Sequence, residues 1–294
     1  MATERLRYKN KVVIVTGGSK GIGEGIVREF VNEGSKVVFC ARKEADGKVL
    51  ETEINKVGPG ESFFVKCDVQ KEENLKNLVH RTVEKYGKID CVINNAGWHP
   101  SYKTIDDTSA EDFASLFNLN VVSYFLLCKM TLPYLRQSKG NIINISSLVS
   151  MIGQEGAVAY CATKVMIGLE DAVAYCATKL MFGLEDAVAY CATKGAIASM
   201  TRALAVDEAK HEVRVNCVSP GNVWTPLWEK LASEQSDKEA AITAGEKAQL
   251  LGRMGTLEEM GKCCVYLASE GTFCTGIDLP LSGGAELNYG EKSK

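Results

Sequence analysis

The run Lys11–Thr16 (KVVIVT) leads straight into Gly17-Gly18-Ser19-Lys20-Gly21-Ile22-Gly23, and the last glycines open a stretch with an apolar stripe at Ile22, Ile26, Val27 and Phe30. A strand, a glycine turn and a helix in that order leave few folds open. Glycines let the backbone turn tightly and come close to an anion, and the start of the helix offers unbonded N–H groups and the positive end of its dipole. Gly17, Ser19, Lys20, Gly21, Ile22 and Gly23 are therefore candidates to hold the pyrophosphate of a dinucleotide. The alternation continues downstream. Strand-like runs at Lys36–Cys40, Ser62–Cys67, Cys91–Asn94, Asn141–Ser146, Val213–Val218 and Ile277–Leu281 alternate with helical patterns such as Gly21–Glu33, Glu73–Lys85, Ala110–Leu135 and Ala196–Ala209. This spacing predicts an α/β fold, a doubly wound parallel sheet of about seven strands with helices on both faces. Ligands of such sheets sit at the carboxyl ends of the strands, where the strand order reverses.

No linker divides the chain, so residues 1–294 are read as one domain, with the polar stretch 286–294 as a flexible tail. A composition of 46% hydrophobic and 24% charged residues excludes disorder, and a net charge of −3 gives no pull toward nucleic acid or an anionic membrane. No apolar run approaches the roughly 20 residues that cross a bilayer, and the charged N-terminal segment lacks the apolar core of a secretory signal. A cytoplasmic protein is expected. The eleven cysteines form no C-x-x-C pair and only three histidines are present, so neither disulfides nor a metal site are expected. Pro226–Leu250, helical in pattern, is expected to overhang the site as a lid.

The end of the second strand chooses between nicotinamide cofactors. An acid there binds the adenosine ribose 2′-hydroxyl, and a basic residue accepts a 2′-phosphate. The sequence has Ala41 where the acid is expected, followed by Arg42 and Lys43, with Lys20 in the glycine loop as a further positive charge. The planar fork of Arg42 suits a phosphate. NADP is favoured, with NAD left open.

One feature is irregular. Met-x-Gly-x-Glu-x-Ala-Val-Ala-Tyr-Cys-Ala-Thr-Lys begins at Met151, Met166 and Met181, a period of 15 residues. Units this short do not make the usual solenoids. They read as a local tandem duplication, with residues 157–186 as the inserted copies, forming a helical hairpin that turns near Gly168 and Gly183.

Thr16-Gly17-x-x-x-Gly21-x-Gly23, Asn94-Asn95-Ala96-Gly97, Ser147 with a downstream Tyr-x-x-x-Lys, and Pro220-Gly221 together resemble the short-chain dehydrogenase/reductase family, from about Lys11 to Ala285. More narrowly, His99-Pro100, Asn144–Val149 and Pro220–Glu229 resemble its 17β-hydroxysteroid dehydrogenase type 14 branch. The resemblance implies a Rossmann-type oxidoreductase, a cytosolic homotetramer acting on steroid 17-hydroxyls or on sugars such as L-fucose. That branch normally uses NAD and ends strand 2 in an aspartate, a pattern from which Ala41 departs. The resemblance further implies that Asp68 and Val69 meet the adenine, that Asn95, Ala96, Gly97, Pro220, Gly221 and Val223 line the cofactor, and that Thr225 meets the carboxamide. It makes Asn120 the asparagine of the catalytic set, although Ser123 stands where glycine is usual. His99, Trp224 and Trp228 are expected to border the substrate.

The chemistry needs a base for the hydroxyl proton while hydride moves to or from the carbinol carbon. A free tyrosine, with a pKa of about 10, is a poor base at neutral pH. A lysine four residues on lies one turn along the same helix face, where its ammonium is expected to lower that pKa and hold the nicotinamide ribose. Ser147 is expected to orient the substrate oxygen. Three pairs compete: Tyr160/Lys164, Tyr175/Lys179 and Tyr190/Lys194. On one continuous helix they would lie roughly 22 Å apart per step, so one alone can face Ser147. A catalytic Tyr160 makes the extra copies erupt from mid-helix, whereas a catalytic Tyr190 leaves them in the preceding loop, where added length costs little. Asp186 also offers a cap just before the third copy. Tyr190 and Lys194 are preferred, with Tyr160 and Lys164 as the alternative. The competing function is a dinucleotide-binding protein with little catalysis, because the duplicated segment disturbs the site.

Overall fold

Every residue of strand β1 (Val12–Thr16) is buried, and its side chains divide between two cores. Val13 and Val15 pack with Ile26 and Phe30 of helix α1 (Gly21–Asn32), while Ile14 packs on the opposite face with Leu75 and Leu127. A strand covered on both faces reads as a continuous apolar run. It is joined by β2 (Lys36–Ala41), β3 (Glu61–Lys66), β4 (Cys91–Asn94), β5 (Asn141–Ile145), β6 (Arg214–Pro220) and β7 (Asp278–Leu281) in the order β3-β2-β1-β4-β5-β6-β7, every neighbouring pair parallel. The seven-stranded doubly wound sheet is the one predicted. The order reverses beside β1, so a crevice opens between the carboxyl ends of β1 and β4. The computed structural model describes residues 6–99, 106–151 and 188–287. Tyr160, Lys164, Tyr175, Lys179, the expected hairpin at 157–186, the Asp186 cap and residues 288–294 lie outside them.

Helices α2 (Glu44–Ile54), α3 (Glu72–Tyr86), α4 (Ala110–Phe117) and α5 (Ser123–Ser138) precede α6 (Val188–Glu208), α7 (Pro226–Ser233), α8 (Lys238–Lys247) and α9 (Leu257–Ser269). Two of them have no counterpart in the sequence reading. α2 buries only Gly47, Leu50 and Ile54, too few for a clear stripe. α9 did carry a signal: Thr256 and Glu259 close a reciprocal capping box. The expected lid is two short helices, α7 and α8, each started by a side-chain cap, Thr225 and Asp237. Glu286 and Leu287 of the expected tail belong to a 3-10 turn, Ala285–Leu287, in which Ser282 hydrogen-bonds the Glu286 carboxylate.

Ala110–Ser138 is helical throughout its 29 residues and is apolar enough, by length and composition, to cross a membrane. In the fold it is a core helix on one sheet face, with Tyr124, Leu127, Cys128 and Leu135 fully buried. A five-residue π-helical turn, Asn118–Val122, interrupts it and turns Asn120 inward. Such bulges cost helix geometry and frequently mark functional sites.

Candidate active site

The turn after β1 is shaped by contacts that a side chain would block. Gly17 has φ +65, and a Cβ on Gly23 would lie 2.2 Å from the Gly17 carbonyl oxygen. The loop is locked to the segment after β4. Asn95 Nδ2 donates to the carbonyls of Thr16 (2.9 Å) and Gly17 (3.2 Å), and the N–H groups of Asn95 and Ala96 both donate to Thr16 Oγ1 at 3.0 Å. α1 starts from extended Lys20 without a side-chain cap, which leaves its positive end facing the crevice.

Above this turn lies a cavity of about 630 Å³. It runs from Ala41 and Arg42 at the end of β2 and Asp68 and Val69 after β3, past the glycine loop, to Gly97, Tyr190 and Thr225. Of the predicted cofactor residues, Gly17, Ser19, Lys20, Gly21, Ile22, Gly23, Ala41, Arg42, Asp68, Val69, Asn95, Ala96, Gly97 and Thr225 line it. Lys194, Pro220, Gly221 and Val223 do not; Gly221 backs against Ser282, and Val223 is buried in a bridge to Gly255. An uncapped helix start, a tight glycine turn and an elongated crevice fit a dinucleotide. Among the lining residues that escaped the sequence reading are Asp46 and Asp112, which face the cavity from the first turns of α2 and α4, and Trp98. Trp98 alone had a signal, its place directly after Asn95-Ala96-Gly97.

At the other end four segments converge. The Ser147 hydroxyl, just past β5, lies beside the Tyr190 phenol on α6 and pulls the phenol pKa down. Burial pulls harder, and the phenol is pushed up to about 12. This differs from the expectation that the neighbouring ammonium would make Tyr190 more acidic. Lys194 Nζ sits 5.5 Å from the Tyr190 ring centroid but donates to the Ile145 carbonyl at 3.0 Å. Only 4% exposed, Lys194 is itself pushed down to about 8 by burial. The backbone of α6 is fixed to the strand by Ser146 Oγ, which donates to the Lys194 carbonyl at 3.0 Å.

Asn120 is completely buried and clamps two segments. Its Oδ1 accepts from Trp98 N–H at 2.9 Å, while its Nδ2 donates to Trp98 C=O at 3.1 Å and to Thr193 Oγ1 at 3.0 Å. Thr193 Oγ1 in turn donates to the Tyr190 carbonyl at 2.7 Å. His99 stacks on Tyr190 with ring centroids 4.3 Å apart. Trp224 and Trp228 pair with each other at 6.0 Å, and Trp228 rests on Gly245 of α8 rather than on the cavity wall. Sequence-distant Ser147, Tyr190, Lys194, Asn120 and His99 are thus brought together, while the two tryptophans brace the lid. Among the described residues no group of His, Cys, Asp and Glu could hold a metal ion.

Residues 11–175 match the model of the short chain dehydrogenase family, and residues 172–286 match the enoyl-(acyl carrier protein) reductase model. The two matches meet inside the triplicated segment. L-fucose dehydrogenases of Mus musculus and Bos taurus are each 48% identical to this chain over 98% of its length and 92% and 93% of theirs. The solved structure of Thermoplasma acidophilum aldohexose dehydrogenase has a TM-score of 0.77 at 28% identity, covering 96% of each chain. By its sequence matches and its fold, the chain belongs to the short-chain dehydrogenase family of NAD(P)-dependent oxidoreductases.

Proposed function

We propose that this enzyme interconverts a secondary alcohol and its ketone or lactone on a sugar of the L-fucose class, with Tyr190 as acid–base, Ser147 and Asn120 as its partners and NADP(H) as the preferred cofactor. One observation carries the reading: a phenol with a serine hydroxyl beside it stands at one end of a cavity whose floor is an uncapped helix start behind a glycine turn. When bound, the dinucleotide supplies or accepts the hydride. The chain's part is the proton. Tyr190 Oη, beside Ser147, passes it to or from the substrate oxygen, and Ser147 holds that oxygen within reach. The buried ammonium of Lys194, close to the phenol, favours the phenolate when the proton leaves. Asn120 keeps the helix carrying Tyr190 and the segment carrying Gly97 and Trp98 in register.

NADP(H) preference follows from Arg42, which lines the cavity with Lys20 and Lys43 where Ala41 supplies no carboxylate. Sugars are put ahead of steroid 17-hydroxyls because the 48% identical relatives are L-fucose dehydrogenases. The family resemblance read in the sequence, not these relatives, leads us to propose a cytoplasmic homotetramer. A second reading, dinucleotide binding with little catalysis, is favoured by the triplication between Ser147 and Tyr190. Following nicotinamide absorbance with L-fucose, D-arabinose and estradiol tests both. Sugar-dependent reduction of NADP supports the first reading, and dinucleotide binding without turnover of any of the three supports the second.

A further inference from the structure

Trp98 has no part in the proton chemistry, yet its side chain is 40% exposed and lines the cavity. Exposing an indole at a cavity wall leaves apolar surface in water unless a ligand covers it. The strand order fixes which end it serves. Trp98 follows β4, Tyr190 lies beside β5 and Thr225 follows β6, so all three stand on the side of β1 away from Arg42 and Asp68. Its backbone is held on both sides by Asn120, at 2.9 and 3.1 Å, so the ring starts from a fixed point. At the mouth of the cavity, the Lys230 ammonium on α7, ion-paired with Glu234 at 3.5 Å, lies over the indole at 5.7 Å from its centroid.

We propose that Trp98 is a stacking platform for the C–H face of a pyranose and that Lys230 donates to hydroxyls on the same ring. The proposal rests on the dehydrogenase reading above and names the part of the site that selects the substrate. The pair Trp98/Lys230 matches a sugar and mismatches a steroid for one physical reason. A pyranose carries polarised C–H groups on one face and acceptor oxygens at its edge, so it covers the indole and still satisfies the ammonium. A steroid covers the indole equally well, but its hydrocarbon face offers Lys230 no hydroxyl to bond. His99, stacked on Tyr190 next along the chain, then stands between the platform and the phenol.

Two measurements test this on the full chain loaded with NADP. Indole fluorescence titrated with L-fucose reads binding apart from turnover. The wild type is expected to respond saturably and Trp98→Phe to lose most of that response, since Trp224 and Trp228 pack against each other elsewhere. In steady state, Trp98→Ala is expected to raise KM for L-fucose about tenfold with kcat within about twofold, while KM for 2,3-butanediol, which has no ring face, stays unchanged; Trp98→Phe keeps most of the affinity. A fluorescence response without turnover supports the platform and sinks the dehydrogenase reading. No wild-type response to the sugar, or equal KM increases for sugar and diol, overturns the platform.

Discussion

The two ends of the cavity are built by different means. At the Arg42 end, binding groups come from short contiguous turns at strand ends: the glycine loop after β1, Ala41 and Arg42 after β2, Asp68 and Val69 after β3. At the Tyr190 end the groups are side chains from separate segments, with Ser147 and Tyr190 lying 43 residues apart in the sequence. They meet only because β4, β5 and β6 lie side by side. The first kind of site depends on local backbone geometry, and the second on the sheet that carries it. Perturbations should sort accordingly.

The largest expected effect lies at the assembled end. Tyr190→Phe removes the phenolic proton and keeps the ring against His99. It should lower kcat by roughly a thousandfold while dinucleotide affinity stays close to wild type. Tyr160→Phe and Tyr175→Phe should leave kcat nearly unchanged. An inactive Tyr160→Phe beside an active Tyr190→Phe would transfer the chemistry to the first copy and break the comparison.

Next comes the local end. In Gly23→Ala the new methyl would sit 2.2 Å from the Gly17 carbonyl oxygen and 2.5 Å from Asn95 Nδ2, so the glycine turn must open. Overpacking of this kind costs about 3 kcal/mol at most in folding. The same displacement should weaken NADP and NAD alike, by roughly a hundredfold, as read by calorimetric titration. Unchanged affinity would show that the turn does not carry the pyrophosphate.

The contrast also explains what the sequence disclosed. The glycine turn was legible because its signal is contiguous: KVVIVT, glycines at fixed offsets, then an apolar stripe. The central strands β1, β4 and β5 were legible for the same reason, since every one of their residues is buried. The π-turn around Asn120 was not, because an ordinary apolar helix pattern runs through it. Nor was the balance at Tyr190. Helical spacing places an ammonium near the phenol, but whether burial or the charge dominates depends on the surrounding tertiary packing. Trp224 and Trp228 failed to reach the cavity for a related reason: Gly245 on α8 offers Trp228 a seat that no local pattern reveals.

A smaller effect sharpens the cofactor end. Arg42 lines the cavity, but so does Asp46, one turn along α2, and the two charges act oppositely on a 2′-phosphate. If Arg42 makes charge-assisted bonds to that phosphate, Arg42→Ala should raise KM for NADP roughly thirtyfold and leave NAD within about twofold. Asp46→Ala should move the ratio the other way by a smaller factor. Equal losses on both cofactors after Arg42→Ala would make the arginine a surface charge.

The smallest effect concerns stability rather than rate. Lys194 is pushed down to about 8 by burial, from the ordinary lysine value of 10.5. Below pH 8 both the folded and the unfolded chain carry its proton, and the full cost of burying the ammonium is present. Between about pH 8 and 10.5 the unfolded chain holds more protons at this site, so folding stability rises with pH. Lys194→Met removes that rise. Urea unfolding at pH 7 and pH 9 should therefore show the wild type gaining about 1 kcal/mol relative to the variant, whatever their difference at pH 7. A constant difference across those pH values would mean that the ammonium is not desolvated. It would then be a weaker influence on Tyr190, and the assembled end of the cavity would depend more on the Ser147 hydroxyl than on the charge beside it.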